Sequence, residues 1–207
     1  DTNDLYPIAL SDADDSEILA AFRAAHLPRR LLGDFLTYIE ATQSPVAVRS
    51  SSLLEDSHYQ PFAGIYNTYM VPYLDDRRQM LLMLSDAIKG VYASVYFKDS
   101  KAYMQATRNV IDQEKMAVII QEVVGQQHGT RFYPAISGVG RSLNYYPIND
   151  ERADEGIVSL ALGLGKYIVD GGLTLRVCPH HPAKVLQTSE TEIALRETQT
   201  RFYALDL

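Results

Sequence analysis

The stretch that most constrains this chain runs from Pro45 through Val46, Ala47 and Val48 into Arg49, Ser50, Ser51 and Ser52, and closes on Phe62, Ala63 and Gly64. A β-branched apolar run behind a proline, broken by an arginine and three hydroxyls, is the pattern of a buried strand that delivers polar groups to a site. Arginine presents a planar fork of N–H donors that matches phosphate oxygens. Serine hydroxyls and the amides of a tight loop can complete an anion cradle. The blander reading of the same residues is an ordinary strand end with a solvated arginine.

The surrounding pattern gives this strand a setting. Residues 1–13 are polar and read as an irregular linker. Ile18, Leu19, Phe22 and Ala25 recur at helical spacing behind Asp14, Asp15 and Ser16, which can cap the start. A second helix is predicted from Pro28 to about Thr42, and the clearest one over residues 75–92, where Met80, Leu81, Leu84, Ile88 and Val91 share a face. Residues 65–73 read as a strand pairing with the Arg49 strand, and residues 99–107 as a shorter helix. Tyr96, Phe97 and Tyr103 are expected in the core.

Residues 116–124, MAVIIQEVV, predict a central strand buried on both faces, with Gln121 and Glu122 interrupting it near its end. Such an end can offer adenine a backbone N–H and C=O, or it can simply emerge to solvent. A further strand is predicted over 157–162, running into Gly163-Leu164-Gly165-Lys166. Glycines between a strand and a helix leave amides free for a phosphate or carboxylate, although G-x-G alone is a weak signal. Residues 174–178 and 183–186 read as a hairpin around Pro179-His180-His181-Pro182.

Charge and cysteine content narrow the function classes. A net charge of −7 argues against a nucleic-acid partner, which needs a basic footprint. The single cysteine, Cys178, excludes an internal disulfide framework and a multi-cysteine zinc site, and fits a cytoplasmic setting. Cys178 reads as a buried structural thiol, and the adjacent histidines lack spaced acidic or cysteine ligands for a metal. No apolar run approaches the length of a membrane span, so no membrane partner is expected. No nucleophilic triad, zinc-protease or P-loop pattern is visible, and no catalytic or metal-ligating residue is assigned within the chain.

Residues 46–68 are similar, without a gap, to the stretch that opens the nucleotide-binding core of phosphoenolpyruvate synthases and pyruvate, phosphate dikinases. Arg49, Ser50, Ser51, Glu55, Asp56, Phe62, Ala63, Gly64 and Thr68 match that pattern. Gln121 to Val124 resembles the family's Q-x-M-V strand end, Ser137-Gly138-Val139 the opening of its S-G-V-M-F-T-x-D-P strand, and residues 163–171 its G-L-G-E-x-V-V-x-G.

The resemblance implies an α+β, ATP-grasp-like domain with mixed or antiparallel sheets flanked by helices, over residues 45–207. Residues 1–44 would be a linker and helical lead-in. It also implies ATP lying between two subdomains, with the phosphoryl group passed by a phosphohistidine domain of the same full-length chain to pyruvate. In that picture Arg49, Ser50 and Ser51 contact the polyphosphate, Phe62, Ala63 and Gly64 cover it, and Gln121, Glu122 and Val123 lie near the adenine. Catalysis would be positioning and charge neutralisation with Mg2+.

The family's lysine-bearing Gly-Lys segment has no counterpart before Pro45, and its acidic magnesium motif would lie beyond Leu207. The resemblance therefore implies a fragment of a larger phosphotransferase, inactive by itself, whose Mg2+ ligands lie elsewhere. Three carboxylates of the family pattern are replaced, by Asn67, Tyr146 and Lys166. Their loss leaves open a second reading, a regulatory module that binds a nucleotide or a partner without phosphoryl transfer.

Overall fold

A computed structural model describes residues 3–52, 55, 64–106 and 115–207. The chain is α+β, with three antiparallel three-stranded sheets among the described residues. It divides into two compact units, Asp1–Val123 and Val124–Leu207.

The first unit is built on two helix layers and one sheet. Helix α2 (Asp15–Ala24) starts behind Asp14, whose N–H donates to Glu17 Oε2 at 3.3 Å. Helix α3 (Arg29–Thr42) ends where Gln43 turns left-handed at φ 44°, which aims the chain through Pro45 into strand β1 (Val46–Ser52). Helix α4 (Arg77–Ser94) is capped by Asp76, whose Oδ1 accepts from the Arg78 and Gln79 amides at 2.9 and 3.2 Å. Helix α5 (Lys98–Ala106) follows, tied back to α2 by the Lys98 amide on Asp15 Oδ1 at 2.9 Å and by the Lys98–Asp14 ion pair. These helices fall where the 3.6-residue periodicity places them.

Residues 1–13 depart from the irregular reading. Helix α1 (Tyr6–Ala9) forms there, and Ala9 is buried in a cluster with Ile18, Phe22 and Ala93. One apolar turn leaves too short a period to recognise in sequence. The helices expected as a lead-in belong to the core of the first unit, because α2 and α3 both pack on α4. Tyr96 and Phe97 pack against the Ile18–Phe22 cluster and Tyr103 against Tyr66, Val95 and Met104, as expected of core aromatics.

Strand β1 is central in its sheet, flanked by β2 (Tyr69–Val71) and β3 (Met116–Glu122). The expected 65–73 strand is thus shortened to three residues, and its pairing with β1 is antiparallel, Val46 opposite Val71 and Val48 opposite Tyr69. Strand β3 corrects a sequence reading. It is paired on one side only among the described residues, and its exposure alternates, with Ala117, Ile119 and Gln121 open. Its run looks doubly buried because Ala117 and Ile119, on the open face, are as apolar as Met116, Val118 and Ile120 on the core face. Val46 and Val48 join Leu84, Ile88 and Val91 of α4 in the main core.

In the second unit, β4 (Gln126–His128), β5 (Arg131–Tyr133) and β9 (Leu205–Asp206) form one sheet, and β6 (Ser137–Arg141), β7 (Ile157–Ala161) and β8 (Leu175–Val177) another. The predicted hairpin of 174–178 with 183–186 does not form, and β8 pairs with β7 instead. After Cys178 the chain makes two successive turns, His181 N–H on Cys178 O and Lys184 N–H on His181 O, both 3.0 Å. The outer edge of β8 is met by a side chain: Gln187 accepts from the Arg176 amide at 3.4 Å and donates to Thr174 O at 3.2 Å.

Gly163, after β7, sits at φ 85°, and a Cβ there would lie 2.6 Å from Tyr203 O. Its carbonyl accepts from Ser137 Oγ at 2.6 Å. The turn therefore knots β6, β7 and the residue 203 region together, and one-turn helix α6 (Lys166–Val169) follows.

Leu84 is fully buried and Leu82, on the same helix, is 59% exposed. Leu84→Ala is expected to lower unfolding free energy by about 2–5 kcal/mol and Leu82→Ala by less than about 0.5 kcal/mol, measured by urea denaturation. Gly163→Ala should cost more than about 1 kcal/mol, because it combines a left-handed φ with a backbone clash. A melting temperature equal to that of the parent would show that the turn relaxes freely.

Candidate functional site

Alternation along β1 sorts its polar residues onto two faces. Val46 and Val48 point into the core, so Ala47, Arg49 and Ser51 point to the other side. The register brings Met70 of β2 and Ala117, Ile119 and Gln121 of β3 to that same side. The result is an open sheet face with an apolar floor, on which Ile119 is 46% exposed, and one cationic group.

Arg49 is exposed, and its Nη1 donates to Gln121 Oε1 at 3.4 Å. Among the described residues it has no carboxylate partner, and the Ser51 hydroxyl makes no hydrogen bond. Arg49, Ser51 and Gln121, three of the residues singled out in the sequence, are thus brought together.

Ser50 lies on the opposite side. Its Oγ donates to Glu55 Oε1 at 2.7 Å, while Glu55 Oε2 accepts from the Ser52 amide at 3.0 Å and the Glu55 amide donates to Ser52 Oγ at 3.2 Å. The last two bonds are the reciprocal exchange of a capping box, with Ser52 and Glu55 at its three-residue spacing. Sequence reasoning assigned Glu55 no role, although Ser52-Leu53-Leu54-Glu55 carries that signature. Glu55 clasps the end of β1 through Ser50 and Ser52.

Glu122, opposite Val46, is also off the Arg49 face. The Val123 amide donates to Pro45 O at 2.8 Å, so that N–H already has a partner. Gly64 is exposed at φ 82°. Phe62 and Ala63 lie outside the described residues.

Each of the three altered carboxylate positions has a local partner. The Asn67 amide donates to Ser94 Oγ at 3.3 Å and its Nδ2 to Tyr69 OH at 3.4 Å. The Tyr146 amide donates to Oδ1 of the buried Asn144 at 3.1 Å, leaving the phenol 76% exposed. Lys166 Nζ sits 2.7 Å from Asp170 Oδ1, one helical turn on.

In the second unit the Gly163 amide donates to Pro134 O at 3.2 Å and the Leu164 amide to Tyr203 O at 2.9 Å, so both amides of that turn are engaged. Cys178 is fully buried, its Sγ 3.7 Å from Glu155 Oε2, and His181 Nε2 lies 3.4 Å from the same oxygen. The Arg152 amide on Glu155 Oε2, at 2.9 Å, is the main cause that holds this carboxyl below its ordinary range.

The sequence profile of the pyruvate phosphate dikinase AMP/ATP-binding domain matches residues 5–203. The chain belongs to that family. Among curated proteins it is 28% identical over 165 residues to the uncharacterized phosphotransferase YvkC of Bacillus subtilis, covering 79% of this chain and 18% of that protein. It is 27% identical over 138 residues to the phosphoenolpyruvate synthase of Aeropyrum pernix, covering 67% of this chain and 15% of the synthase. The chain thus spans less than a fifth of either relative. Family membership agrees with the resemblance carried by residues 46–68 and extends it over both units.

The Glu55 clasp is open to a direct measurement. Glu55→Ala should speed hydrogen exchange at the Ser52 amide, with Glu55→Gln in between because it keeps an acceptor. Identical exchange in all three proteins would show that Ser52 is protected by the β1–β3 ladder alone.

Proposed function

We propose that the chain is the ATP-binding part of a phosphoenolpyruvate synthase-like phosphotransferase of ATP-grasp-like architecture. In the full-length protein, phosphate would pass from ATP by a phosphohistidine domain to pyruvate, in a cytoplasmic setting. The observation that carries this reading is Arg49, a guanidinium without a carboxylate partner among the described residues, oriented by Gln121 beside a Ser51 hydroxyl that is free among the same residues, on an open sheet face. An arginine without a carboxylate partner among the described residues is a ready donor to a polyphosphate, and the apolar floor beside it suits the planar base.

The roles follow from position. Arg49 neutralises phosphate charge through its fork of donors. Ser51 adds one donor. Gln121 holds the fork in place and lies where its amide can also meet the base. Ser50, through Glu55, holds the end of β1 in place. Mg2+ would supply further charge neutralisation to such chemistry. Among the described residues, however, no three His, Cys, Asp or Glu side chains come together to hold a metal ion. The described residues do not fit a magnesium site, and in this reading its ligands would come from other parts of the full-length protein.

One observation favours a second reading. Asn67, Tyr146 and Lys166 stand where the resemblance calls for carboxylates; the side chains of Asn67 and Lys166 bond locally, to Tyr69 OH and Asp170, and the Tyr146 phenol is exposed. A domain so altered suits nucleotide binding without phosphoryl transfer.

Arg49→Ala should weaken ATP binding by about 1.5–3 kcal/mol, the range of a hydrogen bond to a charged group, read by calorimetry. Unchanged affinity would make the arginine structural and remove the basis of the first reading. ATP binding by the full-length protein without transfer to pyruvate would select the second.

A further inference from the structure

The connection between β6 and β7, residues 142–156, is far longer than a hairpin turn needs, yet it is tied along its length. Its ends are pinched together. Arg141 pairs opposite Ile157, and Gly156, at φ 73°, lies so close to Arg141 O that an added Cβ would be 2.6 Å away. Inside the loop the Asn144 amide donates to Ala153 O at 2.8 Å, and Glu151 Oε2 accepts from Asn144 Nδ2 and from the Ile148 amide, both at 3.0 Å. The loop so ordered displays Tyr145 and Tyr146, both exposed.

Two contacts fasten this loop to the turn that follows β8, residues 178–184. One is the Lys184–Asp150 ion pair at 2.7 Å. At the other, three groups converge on a single oxygen, Glu155 Oε2: the Arg152 amide at 2.9 Å, the buried Cys178 Sγ at 3.7 Å and His181 Nε2 at 3.4 Å. The Glu155 and His181 side chains are only 16% and 26% exposed, so solvent and salt screen their interaction less than that of a surface pair.

The His181 ring makes no hydrogen bond among the described residues, so what it adds to this contact turns on its charge. Glu155 is ionised throughout the neutral range, because the Arg152 amide holds its carboxyl below the ordinary one. The other charged groups on the packed segments are committed elsewhere or lie outside. Arg152 pairs with Asp154 and Lys184 with Asp150, Glu151 is engaged by Asn144 and Ile148, and His180 is exposed. An imidazole changes charge between about pH 5 and 8. His181 is therefore a cation beside a carboxylate at the lower end of that range and a neutral ring at the upper end.

We infer that Glu155 and His181 form a proton-operated latch, which fastens the tyrosine-bearing loop to the β8 turn when His181 is charged and loosens it when the proton leaves. The sign follows from linkage: a cation that gains an acidic partner only in the folded chain stabilises that state below the imidazole range, and the gain is lost as pH rises through it. Cys178, with its Sγ against the same carboxylate, is the group the closed latch covers. The inference does not rest on the Arg49 reading, which concerns the other unit.

Cys178 is the single cysteine of the chain, so its modification by a dipyridyl disulfide, read on its own peptide by mass spectrometry, reports the latch directly. Dividing the rate in concentrated urea by the native rate at the same pH removes the dependence on thiolate content and leaves a protection factor. In the parent this factor should be about tenfold greater at pH 6 than at pH 8. His181→Gln should hold it near the pH 8 value at both. Glu155→Gln, which keeps an acceptor for the Arg152 amide, should flatten the response as well. His180→Gln, an exposed neighbour, should keep the parent's response. A parent without pH dependence, a dependence that survives in His181→Gln, or one that vanishes in His180→Gln would overturn the inference. A titration of the unmodified chain by nuclear magnetic resonance guards against misfolded variants. The His181 ring and the Tyr146 amide should shift with one midpoint, and separate midpoints would show that the loop does not follow the histidine.

Discussion

The packing of Val46 and Val48 against Leu84, Ile88 and Val91 of α4 decides what the rest of the first unit can present. A strand has a period of two, so burying these valines turns Arg49 and Ser51 to the opposite face and no other. A slip of one residue would drive the guanidinium into the α4 cluster, where an unpaired charge costs several kcal/mol. Register and chemistry are therefore the same constraint. The ends of β1 reinforce it: Val123 closes the ladder at Pro45, and Glu55 closes the other end through Ser50 and Ser52.

What could be read from the sequence follows from how far each signal extends along the chain. Helices α2, α3 and α4 announce themselves because two to five turns repeat the apolar spacing, and their caps at Asp14 and Asp76 are local. The Arg49 strand was legible for its change from β-branched to polar. Strand β3 was misread because an apolar residue on an open face looks the same as one in the core. The 183–186 strand failed because its partner edge is met by Gln187, a side chain contact that no pattern of strand residues encodes. Of the residues singled out in the sequence, Arg49, Ser51 and Gln121 share one face. Ser50 faces away because alternation, not adjacency to Arg49, governs its direction. Phe62 and Ala63 lie outside the described residues.

The two units carry their cations differently. In the second, ion pairs on the surface hold most lysines and arginines, each worth little in stability but each removing a site for an external anion. Arg141, Arg176 and Arg201 remain without an ion pair among the described residues. In the first unit Arg49 is one of several arginines without an ion pair among the described residues, with Arg23, Arg29, Arg30 and Arg78, and it is the one oriented by a side-chain amide.

Lys166 and Asp170 face each other across one turn of α6. A glutamate at 166, as in the family pattern, would set two carboxylates at that spacing and repel Asp170. Residues 166 and 170 are therefore one electrostatic unit: reversing the charge at either alone would set like charges across the turn that follows the glycines.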